Sequence, residues 1–214
     1  MGGLQITEVV KNLLIINVLM FIGTFFLMGT LQQPAELFGT TVYRGMLALY
    51  YPASEAFRPY QLVTHMFMHA GVNHLLFNMI GLFFFGPPLE QRFGPKKFLF
   101  YYLSCGFGAM LLHMLVLSIE IYYLGSASVN SSMWGASGAI FGLVMGFVML
   151  YPNQTIHLLI PPIPMKAKYF GALYMGLELF LGFSGYGSNI AHFAHLGGAI
   201  VGMAIVWIWR RQGL

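Results

Sequence analysis

The sequence predicts an all-α membrane protein: a polytopic bundle of six transmembrane helices with both termini in the cytoplasm. Three observations carry that reading. Hydrophobic residues make up 58% of the chain and charged residues 7%, with a mean hydropathy of +0.74. A soluble domain usually carries about 25% charged residues, so this chain cannot cover a water-facing surface. Six stretches approach the roughly 20 apolar residues that cross about 30 Å of hydrocarbon. The cations are also unevenly placed. With both termini inside, Lys11, Arg92, Lys96, Lys97, Lys166, Lys168, Arg210 and Arg211 face the cytoplasm and only Arg44 and Arg58 lie outside, as the positive-inside rule requires.

The first predicted span runs from Asn12 to about Thr30, and nothing before it resembles a cleaved signal peptide. Residues 1–11 form a short cytoplasmic segment, residues 12–210 a single transmembrane domain, and residues 211–214 a cytoplasmic tail. The connection over residues 31–61 mixes Pro, Gly, Glu and Arg with Phe, Leu and Tyr, which suits a segment folded against the membrane interface. The second span covers about Leu62 to Phe85 and carries His65, His69, His74 and Asn78. The third covers about Phe98 to Leu117, the fourth is short at Ser137 to Tyr151, the fifth spans about Tyr169 to Phe183, and the sixth about Asn189 to Trp209. The small, polar stretch from Ser126 to Gly135 lies outside. No internal repeat is visible, so a transporter of inverted halves gains no support.

Composition narrows the chemistry. The 6 acids are all glutamates, which removes Ser-His-Asp triads and aspartyl dyads. The lone Cys105 excludes a disulfide within the chain and a Cys-rich metal site, and its apolar neighbours make it a packing residue. Disorder, a coiled coil and nucleic-acid binding are excluded as well, despite a net charge of +4. Intramembrane polar residues are costly and are therefore functional candidates.

Gly135-Ala136-Ser137-Gly138 enters the fourth span from outside. Its glycines let backbone approach the serine closely and leave Oγ exposed, although packing alone also accounts for small residues here. Gly138, Gly142 and Gly146 make one small-residue ridge; His195, Gly198 and Gly202 share another helical face. Two such ridges allow the fourth and sixth spans to approach closely. His195 comes six residues, about 9 Å, into its span, so Ser137 and His195 share a shallow depth.

His74 and Asn78, at i and i+4, are suited to donate to an oxyanion. His65 and His69 have the same spacing, which leaves a metal pair open. However, no HExxH pattern or nearby acid completes a three-ligand set, and no metal or other cofactor is expected. Glu90-x-Arg92-x-Gly94 suits a helix terminus followed by a tight turn. Glu178 in the fifth span has no assigned role, and no third acid is expected to orient His195.

Taken in order, His74-x3-Asn78, Glu90-x-Arg92-x-Gly94, Gly135-x-Ser137-Gly138 and His195-x2-Gly198-x3-Gly202 resemble the rhomboid intramembrane serine proteases of the compact bacterial six-helix kind. The resemblance runs from about Tyr60 to Gly202. It implies Ser137 as nucleophile, His195 as general base, and His74 and Asn78 with the Ser137 backbone N–H as oxyanion donors. His65 and His69 match supporting histidines. Phe141 stands where the family often has a tyrosine against the catalytic histidine, and Tyr60-Gln61 replaces a Trp-Arg pair. The fifth helix and the loop from Ser184 to Ser188 resemble the family's substrate gate and cap. The implied activity is cleavage of transmembrane segments near their outer end. The partners are then membrane-protein substrates entering laterally from the bilayer, together with lipids; the lysine-bounded spans and small size suggest a bacterial cytoplasmic membrane, with a eukaryotic organelle as the alternative. A non-proteolytic relative that only binds membrane helices is the alternative.

Overall fold

The computed structural model describes residues 5–28, 35–37, 40–42, 44–157, 163–184 and 189–214. The described residues are mostly helical. Helix α1 (Glu8–Leu27) is followed by the small strands β1 (Ala35–Leu37) and β2 (Thr40–Val42), a 3-10 turn at Arg44–Leu47, and β3 (Leu49–Tyr50). After these come the one-turn α2 (Gln61–Thr64), α3 (Val72–Phe93), α4 (Pro95–Ile119) and β4 (Ser132–Met133). The chain continues with α5 (Ser137–Leu150), β5 (Thr155–His157), β6 (Pro164–Lys166), α6 (Ala167–Ser184) and α7 (Asn189–Arg211). Each strand pair is antiparallel: β1 with β2, β3 with β4, and β5 with β6.

Among the described residues, four helices are long and apolar enough to cross a membrane: Glu8–Phe25, Val72–Phe93, Pro95–Leu124 and Ala191–Arg211. Helix α5 is apolar but has 14 residues, a length of about 21 Å. Its side chains from Gly138 to Val148 are buried, so it is enclosed by other helices rather than by lipid.

The second predicted span starts too early. A 3-10 turn at His65–Phe67 gives way to extended backbone at Met68, and α3 begins only at Val72. At its other end α3 continues through Pro87 and Pro88 to Phe93. It stops at Gly94, whose φ of 79° is a left-handed value that favours glycine and whose N–H caps the Glu90 carbonyl at 2.8 Å. Pro95 then opens α4, where a missing N–H costs nothing.

Helices α4, α5 and α7 form the core, and small residues set their separation. A Cβ at Gly198 would collide with the Gly138 carbonyl, and one at Gly202 would come within 2.9 Å of Gly142 Cα. Gly138 faces Ala109, and Gly142 faces the buried Cys105, which therefore packs as expected. Tyr101, itself fully buried, donates its hydroxyl to the Gly142 carbonyl at 2.6 Å. That bond satisfies a polar group that could find no water here.

The connection between α1 and α3 is folded where it is described. Ala48 and Leu49 are fully buried. Leu49 pairs with Met133 across β3 and β4, and Ser54 donates to Asn130 Oδ1 at 2.8 Å. The buried Gln61 organises this segment. Its amide donates to the carbonyls of Met46 at 3.0 Å and Ala56 at 2.9 Å, while its oxygen accepts from the N–H of Arg58 at 3.0 Å.

Candidate active site

Ser137 is the first residue of α5, and the backbone before it is tightly held. Gly135 N–H donates to the His65 carbonyl at 2.8 Å. Its φ of 117° is open to glycine rather than to larger residues, and a Cβ there would stand 2.9 Å from His74 Nε2. Gly135 therefore serves both the turn and the seating of the His74 ring.

The glycine contacts between α5 and α7 bring Ser137 and His195 together. His195 Nε2 lies 2.9 Å from Ser137 Oγ. Phe141, one turn along α5, stacks on the imidazole with centroids 4.1 Å apart and planes 7° from parallel. Its opposite face stacks on Tyr174 at 4.4 Å. The sandwich fixes the imidazole plane.

The depth of Asn78 follows from a neighbouring contact. Gly81 of α3 meets Ile140 of α5, where a Cβ would come within 2.7 Å of Ile140 Cγ2. Asn78 and Ser137 each lie three residues earlier on their helices, so they share a level. Asn78 is buried, and its Nδ2 has no acceptor among the described residues. A buried donor without a partner is costly and is suited to a charge that appears only during reaction. His74 Nδ1 accepts from the Ala70 N–H at 3.4 Å, which assigns the ring proton to Nε2, on the side of Gly135.

His65 and His69 are fully buried but do not share a helix. The expected i,i+4 pair fails because the helix breaks between them. His65 donates from Nδ1 to the Gln61 carbonyl at 2.7 Å, and His69 packs edge-on against His74 at 5.2 Å. Both precede the spanning helix, and burial pushes each imidazole down to about 4. They stay neutral and support the floor beneath His74.

One expectation is overturned. Glu178 of α6, buried apart from 6% of its surface, places Oε2 3.1 Å from His195 Nδ1 and 2.8 Å from His192 Nδ1. A third acid does face the imidazole. The sequence carried a signal for this, since an intramembrane carboxylate needs a partner and His192 and His195 lie one turn apart. However, the pairing requires α6 and α7 to meet at that azimuth, and His192 was not singled out. These three groups are also the set among the described residues that could hold a metal, with ligand atoms within 4.8 Å. Tetrahedral zinc ligands at about 2.1 Å would stand about 3.4 Å apart; the two spacings from Glu178 Oε2 are shorter and match hydrogen bonds.

Glu90 and Arg92 each make bonds at long range. Glu90 accepts from the Thr7 hydroxyl and from the N–H groups of Val9 at 3.0 Å and Val10 at 2.9 Å. It thereby places a carboxylate on the N-terminus of α1, where the helix dipole favours negative charge. Arg92 donates to the Leu214 carbonyl at 2.8 Å. The candidate cap from Ser184 to Ser188 lies mostly outside the described residues.

Comparison with known proteins bears on the family. The Rhomboid domain family model matches residues 56–212. RHOMBOID-like protein 12, mitochondrial, of Arabidopsis thaliana is 32% identical over 73% of this chain and 48% of its own length. Rhomboid-like protease 3 of Toxoplasma gondii is 30% identical over 77% of this chain and 57% of its own. The putative rhomboid protease YdcA of Bacillus subtilis (strain 168) is 34% identical over 45% of each. The chain spans about half the length of the relatives it matches. With a family match over most of its length, and with a serine, a histidine and a free amide donor gathered at one level of an apolar helix bundle, this chain belongs to the rhomboid family.

Proposed function

We propose that this integral membrane protein is an intramembrane serine endopeptidase in which Ser137 attacks and His195 is the general base. The observation that carries the reading is the 2.9 Å separation of His195 Nε2 and Ser137 Oγ, a distance suited to proton transfer. The relatives named as proteases support the same chemistry at the level of the family.

In the proposed reaction the Ser137 Oγ–H proton passes to His195 Nε2 as Oγ bonds the scissile carbonyl carbon. The carbonyl π pair moves onto oxygen, where Asn78 Nδ2, His74 Nε2–H and the Ser137 backbone N–H stabilise it. The imidazolium then gives its proton to the departing amine nitrogen as the C–N bond breaks. Water repeats the sequence on the acyl-enzyme.

The proposed substrate is a transmembrane segment of another protein that enters sideways from the bilayer. A membrane helix satisfies its own backbone hydrogen bonds, so cleavage needs local unwinding and favours small residues near the segment's outer end. Six spans with both termini inside remain the proposed arrangement, with α5 and α6 counted as the two shorter crossings. Several Arabidopsis relatives are named mitochondrial or chloroplastic, which lends no support to the bacterial cytoplasmic membrane suggested by the sequence.

The test is cleavage of a single-span substrate by the purified full chain in detergent. Wild type should cut in the outer part of the span, and Ser137→Ala and His195→Ala should be silent. Cleavage by either variant at the wild-type rate refutes the assignment. Binding without cleavage by wild type would favour a non-proteolytic helix-binding protein.

A further inference from the structure

We infer that Glu178 is a positioning residue for His195, so that the site works as a Ser137–His195–Glu178 relay of hydrogen bonds rather than as a serine and histidine alone. This rests on the proteolytic reading above.

Glu178 is one acid with two imidazole nitrogens on the same oxygen, at 2.8 and 3.1 Å, and it is almost wholly buried. A buried charge persists only where it is paired. An ionised carboxylate accepts hydrogen bonds and donates none, so both Nδ1 atoms must carry protons. A neutral His195 protonated at Nδ1 has its free lone pair on Nε2, which is the atom facing Ser137 Oγ. The acid therefore selects the tautomer able to take the serine proton. His192 contributes by holding the carboxylate from one turn away. When Nε2 gains that proton, Nδ1 keeps its own and Glu178 stays ionised beside the new positive charge. Nothing is transferred to the acid.

The ring's other restraints leave this role open. Phe141 fixes the imidazole plane from its face but is silent on which nitrogen is protonated. Among the described residues, the polar contacts given for His195 are Ser137 on one side and Glu178 on the other. A metal held by Glu178, His192 and His195 would take up His195 Nδ1 and leave Nε2 protonated, unable to act as a base.

The experiment uses the full chain in detergent and compares wild type, Glu178→Gln, Glu178→Asp, Ser137→Ala and His195→Ala. It reads kcat and KM on a single-span substrate, the rate of labelling by a serine-directed fluorophosphonate, and the melting temperature. Glu178→Gln keeps the shape and loses the acceptor charge. It should lower kcat by about 10²–10⁴, by analogy with acid-to-amide changes in serine triads. KM should change little, labelling should slow in parallel, and Glu178→Asp should recover part of the loss. ¹⁵N-histidine spectra of wild type should show His195 as the Nδ1–H tautomer, whether or not the variants fold. Wild-type kcat in a folded Glu178→Gln, an Nε2–H tautomer in wild type, or loss of wild-type activity in chelator would each overturn the proposal. If Glu178→Gln is fully active while Ser137→Ala and His195→Ala are silent, only the role of Glu178 fails. Cleavage by Ser137→Ala sinks the proteolytic reading itself.

Discussion

Phe141 lies flat on His195, with ring centroids 4.1 Å apart. It is itself covered by Tyr174 on its other face. The stack joins α5, α6 and α7 near Ser137 and holds the imidazole by its face, where its hydrogen bonds do not reach. Stacked aromatic pairs are worth about 0.5–1.5 kcal/mol beyond area burial. Phe141→Leu keeps most of the volume and loses the stack, so kcat should fall between about twofold and tenfold. An unchanged kcat would mean that the plane of His195 is fixed elsewhere.

Asn78 should behave as a donor used only in the transition state. Its Nδ2 is buried without an acceptor, so removing it breaks no ground-state bond of that atom. Asn78→Ala should lower kcat by about 10²–10³ and leave both KM and melting temperature near wild type. A rise in KM with unchanged kcat would place Asn78 in substrate binding instead.

The glycine contacts make a steric prediction. An added Cβ at Gly198 meets the Gly138 backbone, which cannot step aside as a side-chain tip can. Gly198→Ala should destabilise by about 1–3 kcal/mol and abolish cleavage by parting α5 from α7. Gly23→Ala is the control, since nothing lies within 4 Å of its added Cβ. It should melt at or slightly above the wild-type temperature. Equal melting of the two variants would refute the close-approach argument.

Gln61 makes a prediction about stability rather than chemistry. Gln61→Leu leaves the half-buried carbonyls of Met46 and Ala56 and the N–H of Arg58 without this partner, and each such loss costs about 0.5–1.5 kcal/mol. The melting temperature should drop, while the folded fraction at low temperature keeps its kcat. An unchanged melting temperature would show that the connection before α3 is held by other contacts. The sequence marked this position only as a replacement for a Trp-Arg pair. Its role as a hub was illegible because its partners come from three separate turns of a non-repeating loop.

Acid should loosen the same region. Burial holds the folded-state values of His65 and His69 at about 4, below the unfolded value of about 6.5. Between those values the unfolded chain binds more protons, so their contribution is full above about pH 6.5 and is lost as pH falls towards 4. Thermal melts across that window should show wild type losing stability faster than His65→Gln. Parallel slopes would mean that His65 is not buried neutral.

By itself the sequence determined the membrane class, the apolar stretches, and which polar residues lie on one helical face, as His74 and Asn78 do. Those are properties of local periodicity, and residues three or four apart on a helix share a face whatever surrounds it. The tertiary structure decided that Glu178 meets His192 and His195, that Glu90 caps a helix 83 residues before it, and that the chain breaks between His65 and Val72. Each of these depends on the azimuth and height at which two distant segments meet. That geometry is set by which small side chains allow backbones to touch across α4, α5 and α7, and a pattern within one helix does not carry it.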